Sequence, residues 1–226
     1  MKYLDITNMA RIINTFINTL IVLDYPVHDN DFLKLKQKLK KLSEKLFSNN
    51  FKATKEDAKT IIEIIDYIST DKKLSFIDLH LNKLKKEIKN IQMLTQPRES
   101  QTLFNFSKYF LKKDILLHSL TLLYESMVAF LDEKNGKDRQ IYINCKDLTE
   151  KNNQNRIYKR RNCLKKTKNK CKKIRIHKCK EFDKALKNID ILRNISAHGF
   201  TFNSFDKNLK NEIEKTIKIF NQIVNT

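Results

Sequence analysis

Leu192-Arg193-Asn194-Ile195-Ser196-Ala197-His198-Gly199, near the end of a chain of 226 residues, is the stretch from which the fold is read. On a helical wheel Phe182, Ala185, Leu186, Ile189, Leu192 and Ser196 share one face, and Arg193 falls inside it, between Leu186 and Ile189 in angle. A leucine is expected at that position. A guanidinium there needs a carboxylate, a partner chain or a phosphate, because an unpaired buried charge is costly and arginine does not deprotonate. His198 follows five residues later, just before Gly199, which reads as a helix stop. An obligate cation and a side chain that transfers protons near neutral pH therefore lie about one and a half turns apart.

Outward from this stretch the chain reads as a succession of amphipathic helices. Downstream, Ser204 is placed to cap a last helix whose stripe is Phe205, Leu209, Ile213, Ile217, Phe220 and Val224. Upstream, Leu116, Leu120, Leu123, Met127 and Phe130/Leu131 form the stripe of a long helix closed by Asn135-Gly136, preceded by a short aromatic helix with Phe104, Phe106, Tyr109 and Phe110. His118 in that long helix reads as a core or boundary histidine. Gln96-Pro97-Arg98 breaks the chain and divides a helical region 1–95, which packs on or links to the rest, from a bundle 96–226.

Before that break, a short extended start leads into a helix bearing Ile6, Met9, Ile13, Phe16, Ile17, Leu20 and Ile21, with Asp5 or Thr7 as its cap and Tyr25-Pro26 as its end. Asp29-Asn30-Asp31 caps a second helix with the stripe Phe32, Leu35, Leu39, Leu42 and Leu46, flanked by lysines that read as a solvated face. Thr54-Lys55-Glu56-Asp57 resembles a capping box ahead of Ile61, Ile62, Ile65 and Ile68. Leu74, Ile77, Leu81, Leu84, Ile88 and Ile91 then recur at alternating spacings of three and four, as in a helix lying along others or along a partner chain.

Two Gly and two Pro in the whole chain argue for an all-α fold, since sheets and tight turns need more punctuation. They also exclude the glycine-rich phosphate cradles of nucleotide-binding folds. The formal net charge of +20 favours polyanionic partners. Residues 151–180 carry fourteen Lys or Arg and no Asp or Glu, a basic core within an insertion at 139–180. Like charges in a block repel until a polyanion neutralises them, which points to RNA contact through Tyr158, Lys159, Arg160, Arg161, Lys165 and Lys166, the tyrosine stacking on a base. The bland alternative is a tolerated basic insertion. Cys163, Cys171 and Cys179 recur every eight residues near His177, but close pairs of the Cys-x-x-Cys kind are absent, so no metal or other cofactor is expected. No run is apolar enough to span a bilayer, and the four cysteines fit reduced thiols, so a cytoplasmic protein is expected.

Arg193, Asn194 and His198 match a known pattern: Arg, a polar residue, then His after four intervening positions. The stretch resembles the motif of HEPN ribonucleases. Asp114 to Leu131 looks like the helix packed beside that motif in the HEPN half of the CARF–HEPN ribonucleases of type III CRISPR systems, and Tyr3-Leu4-Asp5-Ile6-Thr7 is similar to the junction leaving their sensor domain. The resemblance implies a HEPN-type helical bundle and a metal-independent endoribonuclease for single-stranded RNA, a defence effector that is CRISPR-associated or toxin-like. It implies a homodimer, so that two motifs share one cleft. His198 would move protons, Arg193 would stabilise phosphoryl charge and Asn194 would orient either group. Nothing in this chain can form the glycine-rich CARF sensor, so either a separate sensor or regulatory chain supplies it or these residues are a piece of a longer chain. The toxin of a HEPN and nucleotidyltransferase pair is disfavoured, because Gly199-Phe200-Thr201-Phe202 lacks the tyrosine such toxins carry after the histidine. The competing reading is a catalytically silent helical RNA-binding or assembly subunit that works through residues 151–180.

Overall fold

The computed structural model describes residues 2–70, 76–135, 179–197 and 203–224, and all of its regular structure there is helical. The helices are α1 (Lys2–Thr19), α2 (Asn30–Phe47), α3 (Thr54–Ser69), α4 (Asp78–Leu94), α5 (Glu99–Lys112), α6 (Leu116–Asn135), α7 (Cys179–Ala197) and α8 (Asn203–Val224), with a 3-10 turn at Phe51–Ala53. The protein is therefore all-α over the described residues. It divides into two compact units, Met1–Gln96 and Pro97–Thr226.

In the first unit α1 packs on α2 and α4, and α3 packs on α2 and α4. The stripe of α2, Phe32 to Leu46 by threes and fours, is fully buried, and Asp29 caps the helix by accepting from the N–H groups of Asp31 and Phe32. Three local expectations are corrected. The start of the chain is helical from Lys2, and Asp5 does not cap its own helix. Its carboxylate, with Asn8, receives the chain as it returns: His28 and Asp29 donate backbone N–H groups to Asp5, and the Asn8 amide donates to the Pro26 carbonyl at 2.9 Å. Next, α1 ends at Thr19, well before Pro26, because Leu20 turns left-handed (φ 62°) while its side chain stays buried. The Thr19 hydroxyl caps that turn by accepting from Ile21 N–H, and Ser43 of α2 donates to the Leu20 carbonyl at 2.7 Å. Finally, Thr54 is the first residue of α3 and donates to the Phe51 carbonyl at 2.7 Å, which leaves no capping box.

In the second unit α5 and α6 form a tight antiparallel hairpin. Asp114 takes the left-handed conformation (φ 56°), and the N–H groups of Asp114 and Ile115 bond back to the carbonyls of Leu111 and Phe110, each at 3.0 Å. Those two bonds constitute a Schellman stop. Two fully buried serines clasp the hairpin: Ser107 donates to the Ser119 carbonyl and Ser119 to the Ser107 carbonyl, both at 2.9 Å. At the far end Glu133 caps α5, accepting from the Ser100 N–H at 2.9 Å and from its hydroxyl at 2.6 Å.

One phenylalanine from each of the four described helices of this unit closes its core. Phe220 of α8 lies 4.9 Å from Phe104 of α5, 5.5 Å from Phe130 of α6 and 5.9 Å from Phe182 of α7, ring centre to ring centre. α6 is buried on almost every side, from Leu120 to Leu131, and so serves as the central helix. On α8 the buried stripe is Leu209, Ile213, Thr216, Phe220 and Ile223; Ile217 and Val224, expected in it, are only half-buried. α8 begins at Asn203, ahead of the Ser204 expected to cap it, and the side chain of Phe205 lies outside the described residues.

Candidate functional site

α7 follows the basic segment and lays Phe182, Ala185, Leu186 and Ile189 against α6 and α8, all of them buried. The apolar spacing of three and four continues to Leu192 and Ser196, but from Leu192 to Ser196 the residues are only half-buried. Arg193 stands where the helix face passes from buried to half-buried. The Ser196 hydroxyl donates to the Leu192 carbonyl at 2.9 Å, a bond within the helix.

Arg193 turns across to α6. Its guanidinium carbon lies over the ring of Tyr124, 4.0 Å from the ring centre, and Tyr124 itself is only 2% exposed. One guanidinium nitrogen lies 3.4 Å from the Asp190 carboxylate, one turn earlier on α7, with both side chains about four-fifths buried. The demand for a partner that the sequence raises is thus met within the chain, by an aromatic face and a long ion pair. At 3.4 Å the second contact is weak for a charge-assisted bond. The ring supplies what the carboxylate does not, since a cation over a desolvated aromatic face gains about 2 kcal/mol.

Asn194 is half-buried on α7 beside Arg193. His198 and Gly199 lie outside the described residues, as do Tyr158, Lys159, Arg160, Arg161, Lys165 and Lys166, together with Cys163, Cys171 and His177. Of the residues singled out in the sequence, the structure therefore places Arg193 and Asn194, both half-buried, in the last turns of α7. His118 is half-buried, its ring 5.4 Å from Phe110.

Two residues of this site are not singled out by the sequence. Tyr124 sits in an apolar run where it reads as one more core aromatic, although a tyrosine among leucines signals a polar tip in need of company. Asp190 carries a local signal, because Asp190-x-x-Arg193 is a helical ion-pair spacing.

α8 holds the far side of α7. Asn188 donates to the Glu212 carboxylate at 2.9 Å, and Lys215 donates to the same carboxylate at 2.7 Å. The Lys215 ammonium holds Glu212 below its ordinary range, with the Asn188 amide adding to this against partial burial. Lys210 reaches Asp114 at the α5–α6 turn, 2.5 Å away, and this carboxylate raises the lysine above its ordinary value.

Among the described residues no group of three or more His, Cys, Asp or Glu is arranged to hold a metal ion, and no helix is long and apolar enough to cross a membrane. Compared with protein-family models, with curated proteins and with solved structures, the chain matches none.

Proposed function

We propose that the chain is a metal-independent endoribonuclease of the HEPN type, cleaving single-stranded RNA as a homodimeric defence effector. The observation that carries this reading is Arg193 itself: a guanidinium on an apolar helix face, held near the end of α7 against Tyr124 and followed by Asn194 and, five residues on, His198. In the proposed reaction the ribose 2′-oxygen attacks the adjacent phosphorus and the bond to the 5′-oxygen breaks. A proton leaves the 2′-hydroxyl and another reaches the departing 5′-oxygen, giving a 2′,3′-cyclic phosphate and a 5′-hydroxyl. One His198 takes the first proton and the His198 of a second copy gives the second, which is why the reading requires a dimer. Arg193, with its planar fork of donors, carries the charge that develops on the phosphoryl oxygens.

The test is incubation of the purified chain with labelled single-stranded RNA in excess chelator, beside Arg193→Ala and His198→Ala. Cleavage by the wild type that falls at least about a hundredfold in each variant supports the reading, since removing one charge-stabilising donor costs about that much. Cleavage that survives both substitutions contradicts it.

A second reading is favoured by one observation: Arg193 already has partners in Tyr124 and Asp190, as a purely structural arginine would. In that case the chain is a silent RNA-binding or assembly subunit working through residues 151–180. RNA then shifts in a gel, stays intact, and is bound equally by wild type and both variants.

A further inference from the structure

We infer that Tyr124 is a positioning residue for Arg193, a platform that aims the guanidinium at a phosphate without using up the donors that bind it. The inference rests on the ribonuclease reading above and adds to it a residue on a different helix.

The geometry of the two side chains carries the inference. A guanidinium has two kinds of surface: a face, and an edge that carries five N–H donors. A carboxylate partner with good geometry takes two of those donors in a fork and so competes with phosphate for the same edge. An aromatic ring takes the face. In this protein the guanidinium carbon of Arg193 stands 4.0 Å above the centre of Tyr124. On the edge, Asp190 engages a single nitrogen at 3.4 Å. The cation therefore lies close over the ring, and its one carboxylate contact is long, which suits an arginine that must exchange a resting partner for a substrate oxygen.

The platform is also enclosed by the core. Tyr124 is 2% exposed on the central helix α6, where its neighbours Leu122, Leu123, Met127 and Val128 are likewise buried. Arg193, by contrast, keeps a fifth of its side chain exposed. A fixed ring beneath a partly open cation restricts the rotamers of a long side chain before substrate arrives, and the cost of that ordering is otherwise subtracted from binding. An arginine serving only to fill the helix face would gain more from a close bidentate carboxylate than from a ring.

The experiment uses the full chain and two readouts. In the first, the δ-methylene protons of Arg193 are observed in protein carrying ¹³C-labelled arginine and assigned with Arg193→Lys. Protons above a ring face are shifted upfield, so the wild type and Tyr124→Phe show the shift and Tyr124→Leu does not. In the second, RNA cleavage is followed to saturation. Tyr124→Leu lowers kcat by about ten- to a hundredfold, as expected for a catalytic group displaced by about 1 Å, while Tyr124→Phe stays within about threefold of wild type. A loss of packing alone would lower the melting temperature without this split between Phe and Leu. If Tyr124→Leu does not fold, Tyr124→Met takes its place, and the wild-type spectrum remains a test by itself.

Absence of the upfield shift in the wild type overturns the inference. So does Arg193-dependent cleavage that Tyr124→Leu leaves at the wild-type kcat. If the shift is present and the wild type cleaves no RNA, the ribonuclease reading has failed, and Tyr124 is then a structural partner only.

Discussion

The Asp5 carboxylate is 3% exposed and accepts from the backbone N–H groups of His28 and Asp29, the latter at 2.9 Å, while His28 Nδ1 lies 3.0 Å away. Burial alone would raise its pKa, but the His28 side chain and the two backbone donors outweigh it, and the net shift is downward. A carboxyl whose folded pKa lies below its unfolded value contributes stability above the unfolded pKa, about 3.9, and loses it as pH falls through the folded value. Asp5→Ala should therefore destabilise the first unit by about 1.5–3 kcal/mol near pH 7, the usual range for hydrogen bonds to a charged group. The difference from wild type, read by urea denaturation, should shrink once pH falls below about 4; an equal difference at pH 3 would refute the assignment. Residues of this kind are where a sequence is hardest to read. Asp5 is visible as a capping residue, but the chain it serves lies more than twenty residues away, and nothing local announces that. Arg193 is visible as a cation out of place, yet its ring partner sits on another helix.

Helices are more legible than their ends. Periodicity of three and four follows from the turn of the α-helix, so the stripes of α2, α4 and α6 can be read wherever apolar residues recur at that spacing. Ends depend on turn chemistry that several sequences can satisfy. Leu20 closes α1 in a conformation that leucine seldom takes, and Thr54 donates a hydrogen bond where a capping residue would accept one. On α8, Ile217 and Val224 draw the expected stripe because they are apolar; the face actually buried runs through Thr216 and Ile223. Between elements, the Ser107–Ser119 clasp implies that α5 and α6 approach closely only because both side chains are small. Ser107→Val should cost about 1–3 kcal/mol through overpacking, whereas Ser107→Ala should cost no more than about 1 kcal/mol for the hydrogen bond it gives up. Chemical denaturation separates the two. Equal losses would show that the hydrogen bonds rather than the spacing hold the hairpin.

Across the molecule, two features govern behaviour. The second unit depends on four phenylalanines meeting at Phe220, so Phe220→Ala should lower its stability by about 3–5 kcal/mol, seen in a thermal melt. The other is charge: residues 151–180 carry +14 of the net +20. If they hold RNA, affinity must fall with salt, and replacing Arg160, Arg161, Lys165 and Lys166 by Gln should reduce the slope of log K against log salt by about 0.7 for every phosphate the segment no longer neutralises. An unchanged slope would make the segment a bystander. The proposed reaction also needs two copies of His198, so sedimentation at the concentrations of the cleavage assay should give a homodimer, and a monomer that cleaves RNA would contradict the shared cleft. The central claim, that the proton carrier and the cation of the motif direct the ribose hydroxyl onto phosphorus, is tested most directly by the mass of the product ends formed in excess chelator. The ends expected are a 2′,3′-cyclic phosphate on one fragment and a 5′-hydroxyl on the other; fragments ending in 3′-hydroxyl and 5′-phosphate would rule the proposed reaction out.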